Sequence, residues 1–315
     1  MYRIENYPGD SIDVILNEIF NYMEQHPGNG KSARLLSIRE DLRRTLNDYE
    51  EEYRRNGVDL QKITNDDYKL NDIHGISNTH MKALYKQFFD SESKFRQNLY
   101  KLTPIRCPIC DANWGYAART LDHILPESIF PQFSILPLNL VPTCYRCNHT
   151  KSTTVGYSPN EGVINPFFNN INLTNYLKCY IYMQNDDFIT HIHLKTESDL
   201  LIDHNKYQRL KFFYEEVYKL DVTYSEVTRT SILNPLLISL SNVEPMSQSQ
   251  TKRFFSSLLE ELRREEIIRD GLVTIEYLKI LLLDSLIEVY DSDYHSLIQE
   301  MVSEKRVVQQ QAEIF

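Results

Sequence analysis

The chain has 315 residues, of which 42% are hydrophobic, and a formal net charge of −10. This is enough apolar material to bury a sizeable core in one large domain or two ordinary ones, and the acidic balance excludes a protein that coats nucleic acid through a generally basic surface. The most apolar stretch, Leu272 to Val289, carries Glu276, Lys279, Asp284 and Glu288, so no membrane span is expected.

The first residues, MYRIENYPGDSID, lack the basic and apolar regions of a secretion signal, which points to the cytoplasm, where disulfides are not expected. Residues 10–25 place Ile12, Ile15, Leu16, Ile19, Phe20 and Met23 on one helical face behind an N-cap at Asp10 or Ser11. His26-Pro27-Gly28-Asn29-Gly30 breaks that helix, and a second is expected over 32–55, ended by Asn56-Gly57. Gly28-Asn29-Gly30-Lys31-Ser32 has the closing letters of a phosphate-binding loop. Gln25 stands where that motif needs its first glycine, and a helix rather than a strand precedes it, so it reads as an interhelical turn.

A third helical pattern runs from 78 to 101, with Met81, Leu84, Tyr85, Phe88, Phe95 and Leu99 at helical spacing. Between 103 and 165, seven prolines, four of the five cysteines and short apolar runs leave no room for a long helix. Beyond it, LKCYIYMQ and FITHIHLK on either side of Asn185-Asp186-Asp187 read as a hairpin, and 206–220, 249–268 and 273–290 as helices. His191 and His193 share a strand face, but no carboxylate or cysteine completes a site, so they read as half-exposed strand histidines; Cys179 reads as a small buried hydrophobe. The expected architecture is mainly α with a small α+β insert: a helical region over 1–102, the insert over 103–165 and a mostly helical region over 166–315.

Cys107-Pro-Ile-Cys110 and Cys144-Tyr-Arg-Cys147 are two C-x-x-C pairs, the arrangement in which two tight turns each offer two thiolates to one tetrahedral Zn²⁺. Four thiolates close the coordination sphere, so such a zinc is structural and any chemistry must come from between the pairs. Four buried unpaired thiols are the alternative. A redox role is disfavoured because neither pair sits in a βαβ context. Residues 101–151 are also net positive, with five basic against three acidic side chains, and a locally basic site on an acidic body binds phosphate with less non-specific attraction.

Between the pairs the sequence reads RTLDHILPESIFPQFSILPLNLVPT, with Asp122 and His123 adjacent, Pro126 stopping a short strand and Asn139 preceding the second pair; Asn148 comes directly after it. C-x-x-C, L-D-H-I-x-P, N-L-V-P and C-x-x-C-N-x-x-K in this order resemble the HNH endonuclease family over 107–151. The fuller form, with Asn165-Pro-Phe-Phe downstream, is similar to HNH nucleases of bacterial defence loci. The resemblance implies a central zinc-supported ββα-metal module that hydrolyses phosphodiester bonds, with DNA the expected substrate and RNA the alternative. It also implies an anti-phage effector role; the acidic helical flanks, large relative to the module and otherwise without a task, suit an effector held inactive until an operon-encoded ATPase or another regulatory protein releases it. The rival readings are a partner-regulated RNase and a catalytically inactive, zinc-stabilised nucleic-acid-binding or adaptor protein.

Under that resemblance His123 is the expected general base, since an imidazole with an ordinary pKa of about 6.5 can take a proton from water. Asp122 and Asn148 offer a carboxylate and an amide oxygen to a catalytic Mg²⁺ or Mn²⁺. By the family pattern Asn139 fixes the loop and orients the base. The third position, often His, is Asn148 here, an HNN variant. His149 is the alternative ligand, because adjacent helical side chains point about 100° apart and only one of the two can face Asp122. Lys151 is expected to contact a phosphate; Arg146, Arg119 and, where Asn148 is the ligand, His149 are further candidates on the substrate side, a solvated surface cation being the alternative for the two arginines. On a regular strand Asp122 and His123 would face opposite sides, so the strand is expected to bend or end there.

Overall fold

The computed structural model describes every residue except 1–2, 28–29, 65–67, 70–71, 114–116, 159, 266–271 and 313–315, and at 31, 265 and 307–312 the backbone alone. The turn expected at Gly28 and Asn29 lies outside the described residues. Helix α1 (Ile12–Gln25) starts where Ser11 Oγ accepts the Val14 amide at 3.4 Å, and all six apolar residues of its stripe are buried. Helices α2 (Gly30–Ser37) and α3 (Arg39–Asn56) replace the single helix expected over 32–55. The backbone leaves helical geometry at Ile38 (φ −113°, ψ 13°), and Glu40 and Asp41 open α3 at its positive dipole end. α3 stops at Gly57, where a Cβ would run into the ring of Phe168.

A short hairpin, β1 (Asp72–Ile73) with β2 (Ile76–Ser77), leads into α4 (Asn78–Phe88), and α5 (Lys94–Lys101) follows. The helix expected over 78–101 is therefore broken. Asp90 Oδ1 accepts the Glu92 amide at 3.1 Å and Ser93 Oγ accepts that of Phe95 at 3.2 Å, so two side chains take over bonds that a continuous helix would make.

Strands β3 (Arg119–His123) and β4 (Leu140–Cys144) pair antiparallel, with Asp122 opposite Val141 and His123 opposite Leu140. Helix α6 (Tyr145–Lys151) follows β4 without a linker. The connection between the strands, residues 124–139, is buried apart from 127–129: Ile124, Leu125, Phe130, Phe133, Ile135, Leu136 and Leu138 share one core with residues of α1, α3 and α4. Two 3₁₀ turns that begin at prolines, Pro131–Phe133 and Pro137–Asn139, shape it.

Next come β5 (Leu177–Gln184) and β6 (Asp187–Leu194), the hairpin expected from the sequence, turning through Asn185 and Asp186 at φ 50° and 58°. α7 (Glu197–Leu200) has a capping box between Thr196 and Asp199. α8 (His204–Lys211) runs into a π-helical turn, Phe212–Val217. The chain then adds α9 (Leu220–Val227), a second π-helical turn (Thr228–Leu233), α10 (Asn234–Ser241), α11 (Gln248–Glu265), α12 (Ile275–Val289) and α13 (Ser292–Ala312). The continuous α9–α10 stretch and α13 are not anticipated by the sequence reading.

The chain is mainly helical with three two-stranded sheets among the described residues. It divides into two compact units, one made of 1–171 with 203–218, the other of 172–202 with 219–315. The stretch 103–165 thus shares a unit with the N-terminal helices and with α8. In the second unit α12 packs on β5 and α9 on β6, covering Leu177, Cys179, Ile181, Phe188, Ile192 and Leu194. No helix among the described residues is long and apolar enough to cross a membrane.

Candidate metal centre and active site

The two C-x-x-C pairs come together. The sulfurs of Cys107, Cys110, Cys144 and Cys147 all lie within 4.8 Å of one another, and all four residues are buried. A tetrahedron with metal–sulfur bonds of about 2.3 Å has sulfur–sulfur edges of about 3.8 Å, and Cys110 Sγ and Cys144 Sγ are 3.6 Å apart. The donor set and spacing therefore fit zinc. In the first pair the Asp111 amide donates to Cys107 O and the Cys107 amide to Ala112 O, both at 2.9 Å, with Asp111 at φ 59°, a left-handed position that Asp tolerates. In the second, Cys144 ends β4 and caps α6, its Sγ accepting the Cys147 amide at 3.4 Å. The Cys144 amide in turn donates to Cys107 Sγ at 3.3 Å and ties the pairs together. Hydrogen bonds from the thiols of Cys107, Cys110 and Cys147 hold Cys144 far below the ordinary thiol range, and bonding among the same sulfurs pushes Cys110 and Cys147 up. One thiolate is favoured by the cluster itself; a dication at its centre would let the others ionise.

A buried loop needs partners for its backbone groups, and in 124–139 Asn139 supplies them. Its Oδ1 accepts the Leu125 amide at 2.7 Å and the Tyr53 hydroxyl at 3.0 Å; its Nδ2 donates to Leu125 O at 2.9 Å and Phe133 O at 3.0 Å. Every bond the amide can make is made. Tyr53 also accepts from Asn165 Nδ2 at 3.0 Å, and the same Nδ2 donates to Leu138 O at 2.9 Å, so Asn165-Pro-Phe-Phe fastens the loop from the other side.

β3 ends at His123. The ring of His123 lies 2.9 Å from Ser134 O through Nε2, and edge-on to Tyr85 with ring centroids 4.4 Å apart. A carbonyl only accepts, so Nε2 carries the hydrogen and Nδ1 the free lone pair. Burial lowers the His123 pKa to about 4, against a smaller opposing effect from the bond to Ser134. Glu127 Oε2 stands 3.7 Å from the same Nε2, beyond hydrogen-bond distance.

Asp122 is buried, with Lys151 Nζ 3.0 Å from Oδ1 and the Tyr218 hydroxyl 3.2 Å from Oδ2. Burial raises its pKa while Lys151 opposes the rise. Lys151, expected at a phosphate, is fully buried and also donates to His123 O at 2.7 Å, so its charge is spent inside the fold. Asn148 faces β3 from α6: its Nδ2 donates to Thr120 Oγ1 at 3.0 Å and Leu121 O at 3.2 Å, leaving Oδ1 uncommitted by these bonds. His149 is exposed and stacks on Tyr145 at 5.5 Å, on another side of the helix, and Arg146 is exposed as well. Arg119 donates to Pro104 O at 2.8 Å.

The structure thus places Asp122 and His123 at the end of β3, Asn139 in the loop behind them and Asn148 on α6 against Thr120 and Leu121, with Lys151 bonded to Asp122 and to His123 O. Tyr218 and Tyr53 carried no signal in the sequence, and Tyr85 showed there only as part of an apolar helical face. Tyr218 lies 96 residues from Asp122 in sequence, and nothing local to it signals the contact. In the second unit, His191 and His193 stack on each other at 5.7 Å, and His193 stacks on Tyr180 at 4.2 Å, an aromatic ladder rather than a ligand pair.

Fold and site together define a mainly helical protein with a four-cysteine cluster able to hold a metal. Among known proteins, 80 residues are 44% identical to protein ea31 of Escherichia phage lambda, covering 24% of this chain and 26% of the phage protein. The chain thus spans about a quarter of that relative's length. No family profile and no solved structure matches.

Proposed function

We propose that the chain is an HNH-type endonuclease that hydrolyses phosphodiester bonds, with DNA the expected substrate. One observation carries the reading: at the end of β3 His123 Nε2 lies 2.9 Å from Ser134 O, so Nε2 holds the hydrogen and, in the neutral ring that burial favours, the Nδ1 lone pair is left for a proton of the attacking water. Asn139 supports that geometry at one remove, since it holds the carbonyl of Phe133, the residue before Ser134. The ring edge contact with Tyr85 limits rotation of the imidazole. The four-cysteine site, as a zinc scaffold, fixes β4 and the start of α6, and through them Asn148.

Asp122 and Asn148 are the donor types that a hard dication takes. The Lys151 ammonium holds Asp122 Oδ1, so an ion at that oxygen would have to displace it. Bound there, Mg²⁺ or Mn²⁺ would neutralise charge on the phosphate and the leaving oxygen. An anti-phage effector role, with an ATPase or another regulatory protein as partner, belongs to the same reading. The Lys151–Asp122 pair favours a second one: a zinc-stabilised adaptor without catalysis has no need of an open carboxylate.

The test is incubation with plasmid, single-stranded DNA and RNA, each with Mg²⁺, Mn²⁺ or EDTA. The expected outcome is cleavage of DNA that needs the divalent ion. Cleavage of RNA alone would move the substrate, and no cleavage under any condition would leave the adaptor.

A further inference from the structure

The sequence offers Lys151, Arg146 and His149 for the substrate, yet Lys151 is fully buried and donates to Asp122 and to His123 O, and Arg146 and His149 lie on the exposed side of α6. A phosphodiester near His123 needs cations from elsewhere. Helix α4 carries two lysines and no carboxylate on a chain of net charge −10. Lys82, Tyr85 and Lys86 are spaced three and four residues apart, so they share one face of that helix. Tyr85 is the residue of this face that touches His123. The helix is fastened there at its start, where Asn78 Nδ2 donates to Ser128 O at 2.9 Å, next to Glu127.

Lys86 is exposed and Lys82 half-buried, and neither forms an ion pair or hydrogen bond among the described residues. The Lys82 ammonium acts electrostatically on His123 and Glu127, and that of Lys86 on Glu127. Among the described residues Glu127 is the carboxylate on which both lysines act, while Asp122 is paired with Lys151. Among the described residues, two ammonium groups against that carboxylate leave positive charge on the face of α4 that carries Tyr85.

We propose that Lys82 and Lys86 on α4 are the substrate-phosphate contacts of the His123 site, so that a nucleic-acid backbone runs along α4 past the imidazole. The assignment rests on the nuclease reading above. It adds that the grip on substrate comes from the N-terminal helices, outside the 107–151 motif, which gives α4 a functional task.

Binding is measured by fluorescence anisotropy of labelled single-stranded and duplex oligonucleotides on a His123→Ala background, so that nothing is cleaved. Lys82→Ala/Lys86→Ala should bind 10- to 100-fold more weakly at low salt. The slope of log affinity against log salt should fall by about 1.4 for the single strand and about 1.8 for the duplex, two phosphate contacts' worth. Lys94→Ala on α5, whose ammonium pairs with Glu18 at 2.8 Å, serves as a control and should bind as the parent does. Zinc content and melting temperature should not change, which separates lost contacts from lost fold. Unchanged affinity and slope in the double variant, with His123-dependent cleavage intact in the otherwise native chain, would overturn the lysine assignment alone. A parent that binds neither oligonucleotide and a native chain that cuts neither would overturn this assignment and the nuclease reading together.

Discussion

Replacing Asn139 by Ala would strip the Leu125 amide, the Leu125 and Phe133 carbonyls and the Tyr53 hydroxyl of their shared partner inside the core. Each orphaned buried group costs about 1–3 kcal/mol, and partial relaxation leaves an expected loss of roughly 3–5 kcal/mol. Urea unfolding checks it; a loss under about 1 kcal/mol would contradict the pinning role. His123 makes a pH prediction. Its folded pKa, near 4, lies below the unfolded value of about 6.5, so as pH falls through that window the unfolded chain takes up a proton that the folded chain refuses. Stability should therefore fall with falling pH between about 6.5 and 4, with a slope of up to about 1.4 kcal/mol per unit from this group. His123→Gln, which can still donate to Ser134 O, should show a correspondingly flatter curve, and identical curves would contradict the buried neutral imidazole. At this scale the sequence was informative about identities and silent about partners. Asp122, His123 and Asn139 stand out in their motif, but that Lys151 is spent on Asp122 depends on α6 lying across β3, a packing fact that no local pattern reports.

The elements that the sequence showed most clearly are those with a strong one-dimensional signature. The apolar stripe of α1 is buried as its spacing requires, and the β5–β6 hairpin turns at Asn185 and Asp186, residues that tolerate positive φ. The breaks at Ile38 and at Phe89–Ser93 were hidden because apolar spacing runs across them, though Asp90 and Ser93 carried a cap signal. The α9–α10 stretch went unseen for a physical reason. It is rich in Thr, Ser and Val, poor helix formers, and holds Pro235, which the structure accommodates just after a π-helical turn. The four-cysteine cluster makes the prediction at this scale. It links the loop at Cys107 to the β4–α6 junction, and structural zinc contributes on the order of 10 kcal/mol in small modules. Cys144→Ser should lose the metal and melt at markedly lower temperature; a zinc-free variant that melts with the wild type would contradict the scaffold role.

On a chain of net charge −10, the helix that touches His123, α4, carries Lys82 and Lys86 and no carboxylate, while the motif's own lysine serves the interior. The division into units was not legible in advance. The residues 203–218 return to the first unit and bring Tyr218 to Asp122, and the 124–139 loop merges its core with the N-terminal helices, so the motif does not stand as a module of its own. Composition shifts along the chain mark textures, and long-range packing crosses them. The central claim is that the imidazole at the end of β3 takes the proton of the attacking water. Its most direct measurement is the rate of plasmid cleavage by the wild-type chain and by His123→Ala, with zinc content determined on both. A folded variant is expected that keeps its zinc and loses cleavage by about a hundredfold or more, within the range for a general base of about 10²–10⁴; a zinc-loaded His123→Ala that cuts at the wild-type rate would overturn the role of the imidazole.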